Sequence, residues 1–173
     1  MSEALRAHVT RHLAVDADLF RRLLESVSDQ QARWKPLPDE WSLLEVTCHL
    51  ADEERDDFRD RLQRTLRRPD EPWPSIDPPG WAVERRYNER EPAAALEDFL
   101  REREASLAWL RGLEDVDPDA SHEHPRMGPL TARELLASWV AHDLIHVRQM
   151  TRLHRQWLER LAGPGSLAYA GPW

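Results

Sequence analysis

The sequence contains little cysteine, no long apolar run and no cluster of basic residues. Its single cysteine, Cys48, cannot form a disulfide within the chain, which is typical of proteins from a reducing compartment. No stretch of 18 apolar residues occurs, and the opening residues MSEALRAH lack the apolar segment of a signal peptide. We therefore expect a cytoplasmic protein that does not interact with membranes.

The charge balance is acidic. Asp and Glu number 32 against 24 Lys and Arg, which gives a formal net charge of −8. Carboxylates are interleaved with the basic residues throughout, so no surface is expected to attract phosphate backbones or anionic lipid. Nucleic acid is therefore excluded as an expected partner, and the charge adds to the argument against a membrane.

Four segments have apolar residues spaced three to four apart, the period of an amphipathic helix. Ser42 with Glu45, and Thr131 with Glu134, form capping boxes at the starts of two of these segments, and Pro92 suits the first turn of a third. The helices are predicted at about 3–28, 43–67, 92–113 and 131–161.

Proline-rich segments separate the predicted helices. Six prolines occur from Pro69 to Pro92, both included, which predicts a long connection at 69–91 without regular structure. Residues 114–130 are predicted to be irregular as well. With 173 residues, we expect one all-α domain over 1–173, a four-helix bundle with a long crossover between its second and third helices. The Gly- and Pro-rich tail, 163–173, is expected either to pack on the bundle or to be flexible.

Polar residues occur on the apolar face of every predicted helix. Placed at about 100° per residue, His142 and His146 fall in the middle of the face of the fourth helix. Arg103 and Asp16 fall on the faces of the third and first helices. His49 and Glu53 share the edge of the face of the second helix, four residues apart. Buried polar groups need partners or a metal, because an unpaired one costs several kcal/mol at the upper end of estimates.

Two interpretations of the histidines remain open on the residues alone. Three neutral imidazoles, two of them one helical turn apart, can bind a divalent ion and leave one coordination position open. A hydrogen-bonded pair of core histidines would explain His142 and His146 equally well. Arg103 and Asp16 are expected to form a buried ion pair, and most carboxylates of the charge-rich run EERDDFRD (53–60) to be solvated.

Other candidate residues are assigned simpler roles. His8 and His12 repeat the HxxxH spacing but lie toward the flank of their helix, so we expect them to be partly exposed. Cys48 points away from the apolar face of its helix and is not counted as a ligand or nucleophile. His122 and His124 are expected in a solvated loop.

The chain resembles the DinB/YfiT-like family in three places: WSLLEVTCHLADEE (41–54), an arginine on the third helix, and MGPLTARELLASWVAHDLIHVRQM (127–150). Members of this family are four-helix bundles that hold a divalent metal with three histidines. The resemblance implies that His49, His142 and His146 are the metal ligands.

The resemblance suggests several functions for such a site. Some members look like thiol-dependent transferases, so the leading hypothesis is a metal-dependent transferase that joins a low-molecular-weight thiol to an electrophilic substrate. A metal-dependent hydrolase and a non-catalytic metal-binding bundle are the alternatives. Zinc and nickel are the expected metals, and a homodimer is possible in this family. Glu53 is the candidate general base or orienting acceptor for an imidazole, and Arg103 the candidate group that grips an anionic substrate.

Overall fold

The fold is described from a computed structural model that covers residues 3–114, 116–124 and 126–173. It confirms the predicted all-α class: helices dominate, and a two-stranded antiparallel hairpin is the one sheet among these residues. The regular elements, in chain order, are α1 (Glu3–Glu25), α2 (Asp29–Arg33), α3 (Leu43–Asp52), α4 (Arg59–Arg67), α5 (Pro78–Glu84), α6 (Pro92–Arg111), β1 (Ser121–His124), β2 (Gly128–Thr131) and α7 (Ala132–Ala162).

Four long helical segments form the bundle. α1 packs against α6 and α7, and α3 packs against α6. Both predicted capping boxes are present, at Ser42 with Glu45 and at Thr131 with Glu134. Each box satisfies backbone N–H groups at the first turn of its helix, so the starts of α3 and α7, the helices that carry the three candidate histidines, are fixed locally.

The second predicted helix contains a turn of π-helix. Residues Glu53–Phe58 adopt the wider π-helical winding between α3 and α4, so 43–67 is one helical segment whose phase changes in the middle. Glu53, Glu54 and Asp57 lie in the interior, where each is at most 8% exposed. The expectation that most carboxylates of EERDDFRD are solvated was therefore wrong for these three residues.

Both long connections, 69–91 and 114–130, contain regular structure that was not predicted from the sequence. In the crossover, the Asp77 side chain caps the start of α5 by accepting a hydrogen bond from Gly80 N. Prolines occupy the first turn of this helix. A 3-10 turn, Tyr87–Glu89, follows, and Tyr87 is buried against α3. In the second connection, β1 pairs with β2 and His122 is paired with Leu130. The crossover therefore covers α3, and Cys48 beneath it is fully buried rather than on an open face.

Arg103 lies at the centre of the bundle, at 1% exposure. Its guanidinium grips Asp143 through two contacts, of 2.6 Å to Oδ2 and 2.8 Å to Oδ1. It also contacts Glu54 Oε1 at 2.8 Å and donates to the Leu13 carbonyl at 2.9 Å. The predicted ion pair between Arg103 and Asp16 was wrong: Asp16 is buried, but the carboxylates that contact the guanidinium belong to Glu54 and Asp143.

The first HxxxH pair lies at the outer surface, as predicted. His8 is exposed and His12 is half-buried, their rings 4.3 Å apart. At the end of α7, Arg155 lies 5.7 Å from the ring of Trp173 in the tail. Within the described residues, no helix is long and apolar enough to cross a membrane.

We predict that Arg103→Leu lowers the free energy of unfolding by about 3 to 5 kcal/mol, because it leaves Glu54 and Asp143 buried without their cation. Urea denaturation monitored by circular dichroism measures the change. Asp18→Ala is the control, because it removes a carboxylate from the exposed Arg21–Asp18 contact and should cost less than about 1 kcal/mol. Equal losses in the two variants would show that the buried contacts carry no special weight.

Candidate metal centre

The three predicted ligands lie together in the interior of the bundle. His49, from α3, places Nε2 3.2 Å from Nε2 of His146 on α7. Nε2 of His142, one turn earlier on α7, lies 3.1 Å from the same His146 nitrogen. In the described part of the chain, these three residues form the one group of metal-ligating side chains whose ligand atoms all lie within 4.8 Å of one another.

The contacts behind the rings determine which nitrogens face inward. His146 Nδ1 lies 2.7 Å from Oε1 of Gln149, an acceptor, so the Nδ1 nitrogen carries the proton and Nε2 presents a lone pair. His49 Nδ1 faces Glu53 Oε1 at 3.5 Å. Acceptors behind metal-binding imidazoles orient the ring and fix the tautomer in this manner.

The imidazoles are neutral. Burial, and then the neighbouring His146 and His142, lowers the pKa of His49 to about 2. Burial, followed by His146 and Arg103, lowers the pKa of His142 to about 3. The pKa of His146 is lowered by burial as well. A metal requires unprotonated imidazole nitrogens, so at neutral pH the three side chains are in the form that binds an ion.

The geometry fits a divalent metal ion. Three nitrogens that each lie about 2.0 Å from a tetrahedral ion are about 3.3 Å from one another, close to the two observed spacings of 3.1 and 3.2 Å. His49 Nδ1 and Glu53 Oε1 are buried without a hydrogen-bond partner. A metal ion on His49 Nε2 would make the Nδ1 hydrogen a stronger donor, and Glu53 Oε1 is the acceptor that faces it. The three histidines therefore fit the divalent metal ion that was predicted from the sequence.

Glu53 is the acidic residue nearest to the histidines. Besides facing His49, it places Oε2 3.9 Å from Nε2 of His142, on the metal-facing side of that ring. Burial, and then the nearby Asp57, holds the pKa of Glu53 well above its ordinary value. The predicted position of Glu53 beside His49 is thus observed, and the carboxylate also reaches a second ligand.

Arg103 is beside the site but not open to it. Its guanidinium is occupied by Glu54 and Asp143, and Asp143 is the residue directly after His142. Burial opposes the charged form, but Glu54 and Asp143 outweigh it, so the pKa of Arg103 is raised. An arginine at 1% exposure with two carboxylate partners is placed to hold α7 rather than to bind a substrate. This position corrects the prediction that Arg103 grips an anionic substrate.

Several residues of the site were missed from sequence. Asp143 and Glu54 bind Arg103, and Trp139 donates its Nε1 hydrogen to Glu54 Oε1 at 2.7 Å. A helical projection of α7 places Asp143 on the inner side, so this residue could have been found. Glu54 and Asp57 also project within about 40° of Leu50 on the apolar face of their helix, so both could have been found, but the charge-rich run around them was taken to be solvated.

The remaining candidates lie outside the site. His122 is buried rather than solvated, its ring stacked on Trp73 and its Nε2 2.7 Å from the Glu71 carbonyl. Burial raises the pKa of Cys48 to about 12, so this thiol is inert and is not part of the histidine group.

Comparison with known proteins assigns the chain to a family. The sequence model described as the DinB superfamily matches residues 12–150. The chain belongs to the DinB superfamily. A solved structure of similar fold is YfiT from Bacillus subtilis, with a TM-score of 0.79 and 20% sequence identity over 91% of this chain and 90% of that one. YfiT is described as "a probable metal-dependent hydrolase with an unusual four-helix bundle topology". No curated protein sequence matches this DinB superfamily member.

We predict that the purified protein binds about one zinc or nickel ion per chain, and that His142→Ala weakens this binding at least tenfold because one of three nitrogens is lost. Competition with a chromophoric chelator measures the affinity. The control is His8→Ala, which removes an exposed histidine of the same HxxxH spacing. Equal affinities of the wild type and His142→Ala would refute the site.

Proposed function

We propose that this protein is a divalent-metal-dependent enzyme that transfers a low-molecular-weight thiol to an electrophilic substrate. The observation that carries the proposal is the convergence of three neutral Nε2 atoms with Glu53 beside them. His49, His142 and His146 would hold the ion, and zinc or nickel would suit three imidazoles. Three protein ligands are the number typical of catalytic sites, because a fourth position stays available.

The charge of the ligand set supports activation of an anion. None of the three imidazoles carries a charge, so the ligands do not neutralise a divalent ion. When bound, such an ion would lower the pKa of a thiol or a water molecule in its fourth position. Part of His142 is accessible, at 22% side-chain exposure, while Glu53 is 6% exposed, and access from the side of His142 would bring a small molecule to both groups.

Glu53 would act as the general base. Its carboxylate would take the proton of the thiol as the S–H bond breaks, and the sulfur electron pair would form a new bond to the electrophilic carbon of the substrate. In a substitution, the leaving group would depart with the electron pair of the broken bond to carbon. In the opening of an epoxide, the epoxide oxygen would take that electron pair and stay attached to the product. Burial and Asp57 raise the pKa of Glu53 to about 9, so the carboxyl is protonated at neutral pH, and it would serve as the base once the charge of a bound divalent ion lowers that pKa.

A metal-dependent hydrolase is the second candidate, with water as the nucleophile. The position of Glu53 favours it equally, because a carboxylate 3.9 Å from a ligand nitrogen can take a proton from water as well as from a thiol. YfiT, which shares the fold, is described as "a probable metal-dependent hydrolase". A requirement for added thiol separates the two candidates.

We predict that the metal-loaded protein forms a thioether from a small thiol and 1-chloro-2,4-dinitrobenzene faster than the uncatalysed reaction does, because the site lowers the pKa of the thiol. Absorbance of the adduct gives the rate, and chelation of the metal should abolish the acceleration. If His142→Ala and the wild type give equal rates, the enzyme proposal fails. Ester hydrolysis without thiol, in the absence of any adduct, would favour the hydrolase, and metal binding without turnover in either assay would favour a non-catalytic bundle.

We predict that Glu53→Gln retains the metal but lowers the rate by about 10²- to 10⁴-fold, the usual contribution of a general base. The amide keeps the size of the side chain and loses the ability to accept the proton. Metal content and rate are measured on the same sample. Glu104→Gln, at an exposed position of α6, is the matched control, and a Glu53→Gln rate within twofold of wild type would remove Glu53 from the mechanism.

A further inference from the structure

A cavity of about 530 Å³ lies where the end of α1 and the short helix α2 meet α3 and the start of α6. Its volume is within the range of pockets for small molecules. Thr47, in the wall of this cavity, precedes His49 by two residues, so the two side chains point about 200° apart around α3. The cavity therefore lies on the other side of α3 from the metal centre and is a separate feature of the molecule.

The floor of the cavity is apolar. Ala32 on α2 and Leu44 on α3 are at most 3% exposed, and they line it together with three partly buried leucines, Leu24, Leu96 and Leu100. A floor of this kind binds the apolar part of a molecule by removing it from water. Because the rim of the same cavity is charged, the ligand that fits has both an apolar body and a polar group.

The polar side chains of the cavity are all hydrogen-bond acceptors. Four of them are carboxylates at the rim, those of Glu25, Asp29, Glu91 and Glu97. The fifth is Thr47, which is 2% exposed and donates its hydroxyl hydrogen to the Leu43 carbonyl at 2.8 Å, so toward the cavity its oxygen can only accept. In the described part of the chain, no basic side chain lines the cavity. Such a lining favours a ligand that donates hydrogen bonds and carries a positive charge.

Two of the four carboxylates have a structural reason for their position. Asp29 lies in the first turn of α2 and Glu91 directly precedes α6, and acidic residues stabilise a helix at both places. Arg33 also contacts them, at 2.9 Å for Asp29 and 3.8 Å for Glu91. These two residues are therefore explained without a ligand, and Arg33 is the cation with which a ligand would compete for them.

The other two carboxylates, Glu25 and Glu97, have no such explanation. Glu25 is the last residue of α1, where the helix dipole is negative and a carboxylate is unfavourable. Glu97 lies in α6 beyond the first turn, and Arg101, one turn later, contacts Asp98 and Glu102 instead. Among the residues that the structure describes, none forms an ion pair or side-chain hydrogen bond with Glu25 or Glu97. A cation in the cavity would offset the charge of both.

The start of α6 favours the opposite charge. Its first residues, Pro92 and Ala93, lie in the wall of the cavity, and the free N–H groups at the start of a helix attract anions. That attraction corresponds to about half an elementary charge, whereas the rim carries four carboxylates with Arg33 beside two of them. The negative charge of the rim therefore decides which ligand the cavity attracts.

We propose that this cavity is a binding site for an organic ammonium ion with an apolar body. The body would lie on Leu44, Leu96 and Leu100, and the ammonium group would donate hydrogen bonds to the rim carboxylates, chiefly Glu25 and Glu97. This site depends neither on the metal nor on the proposed reaction.

Calorimetric titration of the metal-loaded protein at low ionic strength tests the proposal with three probes. The first, 4-phenylbutylamine, has both the charge and the apolar body. The second, 4-phenylbutyrate, has the same body with the opposite charge, and the third, methylammonium, has the charge alone. We expect 4-phenylbutylamine to bind at least tenfold more tightly than either of the others, because 4-phenylbutyrate is repelled by the rim and methylammonium leaves the floor empty.

Two variants locate the bound amine. Glu25→Gln/Glu97→Gln should weaken the binding of 4-phenylbutylamine at least tenfold, through the loss of charge-assisted hydrogen bonds. Glu3→Gln/Glu104→Gln is the matched control, because it removes two exposed carboxylates from the same helices outside the cavity. Ala93→Trp places a large side chain in the wall at an exposed position, and it should weaken the binding at least tenfold by filling the cavity while all four carboxylates remain.

Several results would overturn the ammonium site. They are the absence of saturable amine binding, equal affinities for 4-phenylbutylamine and 4-phenylbutyrate, unchanged amine binding in Glu25→Gln/Glu97→Gln or in Ala93→Trp, and an equal loss in Glu3→Gln/Glu104→Gln. His142→Ala should bind the amine as tightly as the wild type, and a loss in this variant would show that the amine binds the metal instead. Failure of the thiol and hydrolysis assays would not change any of these results, so the two proposals are tested separately.

Discussion

A single buried guanidinium connects the parts of the bundle that carry the site. Arg103, on α6, contacts the carbonyl of Leu13 on α1, Glu54 in the π-helical turn and Asp143 on α7. Removing an ion from water is expensive, and only well-placed partners repay that cost. One side chain therefore constrains the relative positions of α1, α6, α7 and the π-helical turn. Because Asp143 follows His142 directly in the chain, its contact with Arg103 also constrains the position of His142. The arginine acts on the metal centre through position, although it does not face the ligands.

Two consecutive glutamates at the start of the π-helical turn serve different purposes. Glu53 faces His49 and His142, whereas Glu54 faces Arg103 and accepts a hydrogen bond from Trp139. A π-helical turn adds a residue to the turn and changes the directions of the side chains that follow, and such turns are frequent at functional sites. In this chain the turn begins at Glu53, four residues after His49. One stretch of helix therefore supplies both a candidate base for the site and a support for the bundle.

The sequence predicted the parts of the fold that depend on regular helical periodicity. The four helical segments and the inward direction of His49, His142 and His146 follow from spacing at about 100° per residue, and both capping boxes follow from a Ser or Thr three residues before a Glu. The α5 helix and the hairpin were missed because short elements in proline-rich connections have too few residues to show a period. The partner of Arg103 was assigned wrongly because periodicity indicates which residues face inward, but not the height at which helices meet. Asp16 and Asp143 both face inward, and only the three-dimensional positions of α1 and α7 relative to Arg103 select Asp143.

The distribution of buried charge gives a reason for a cation at the histidines. Close to the site, the carboxylates of Glu53, Glu54, Asp57 and Asp143 are buried. Arg103 forms ion pairs with Glu54 and Asp143, and Arg61 contacts Asp57 at 2.6 Å. Glu53 is left with one oxygen, Oε1, that has no hydrogen-bond partner, and it lies between the neutral imidazole of His49 and the like-charged Asp57. A buried carboxylate in such surroundings is costly unless it is protonated or a cation is near. A divalent ion on the three histidines would supply that cation, so the feature that makes Glu53 unfavourable in the bundle is the same one that would make it useful beside a metal.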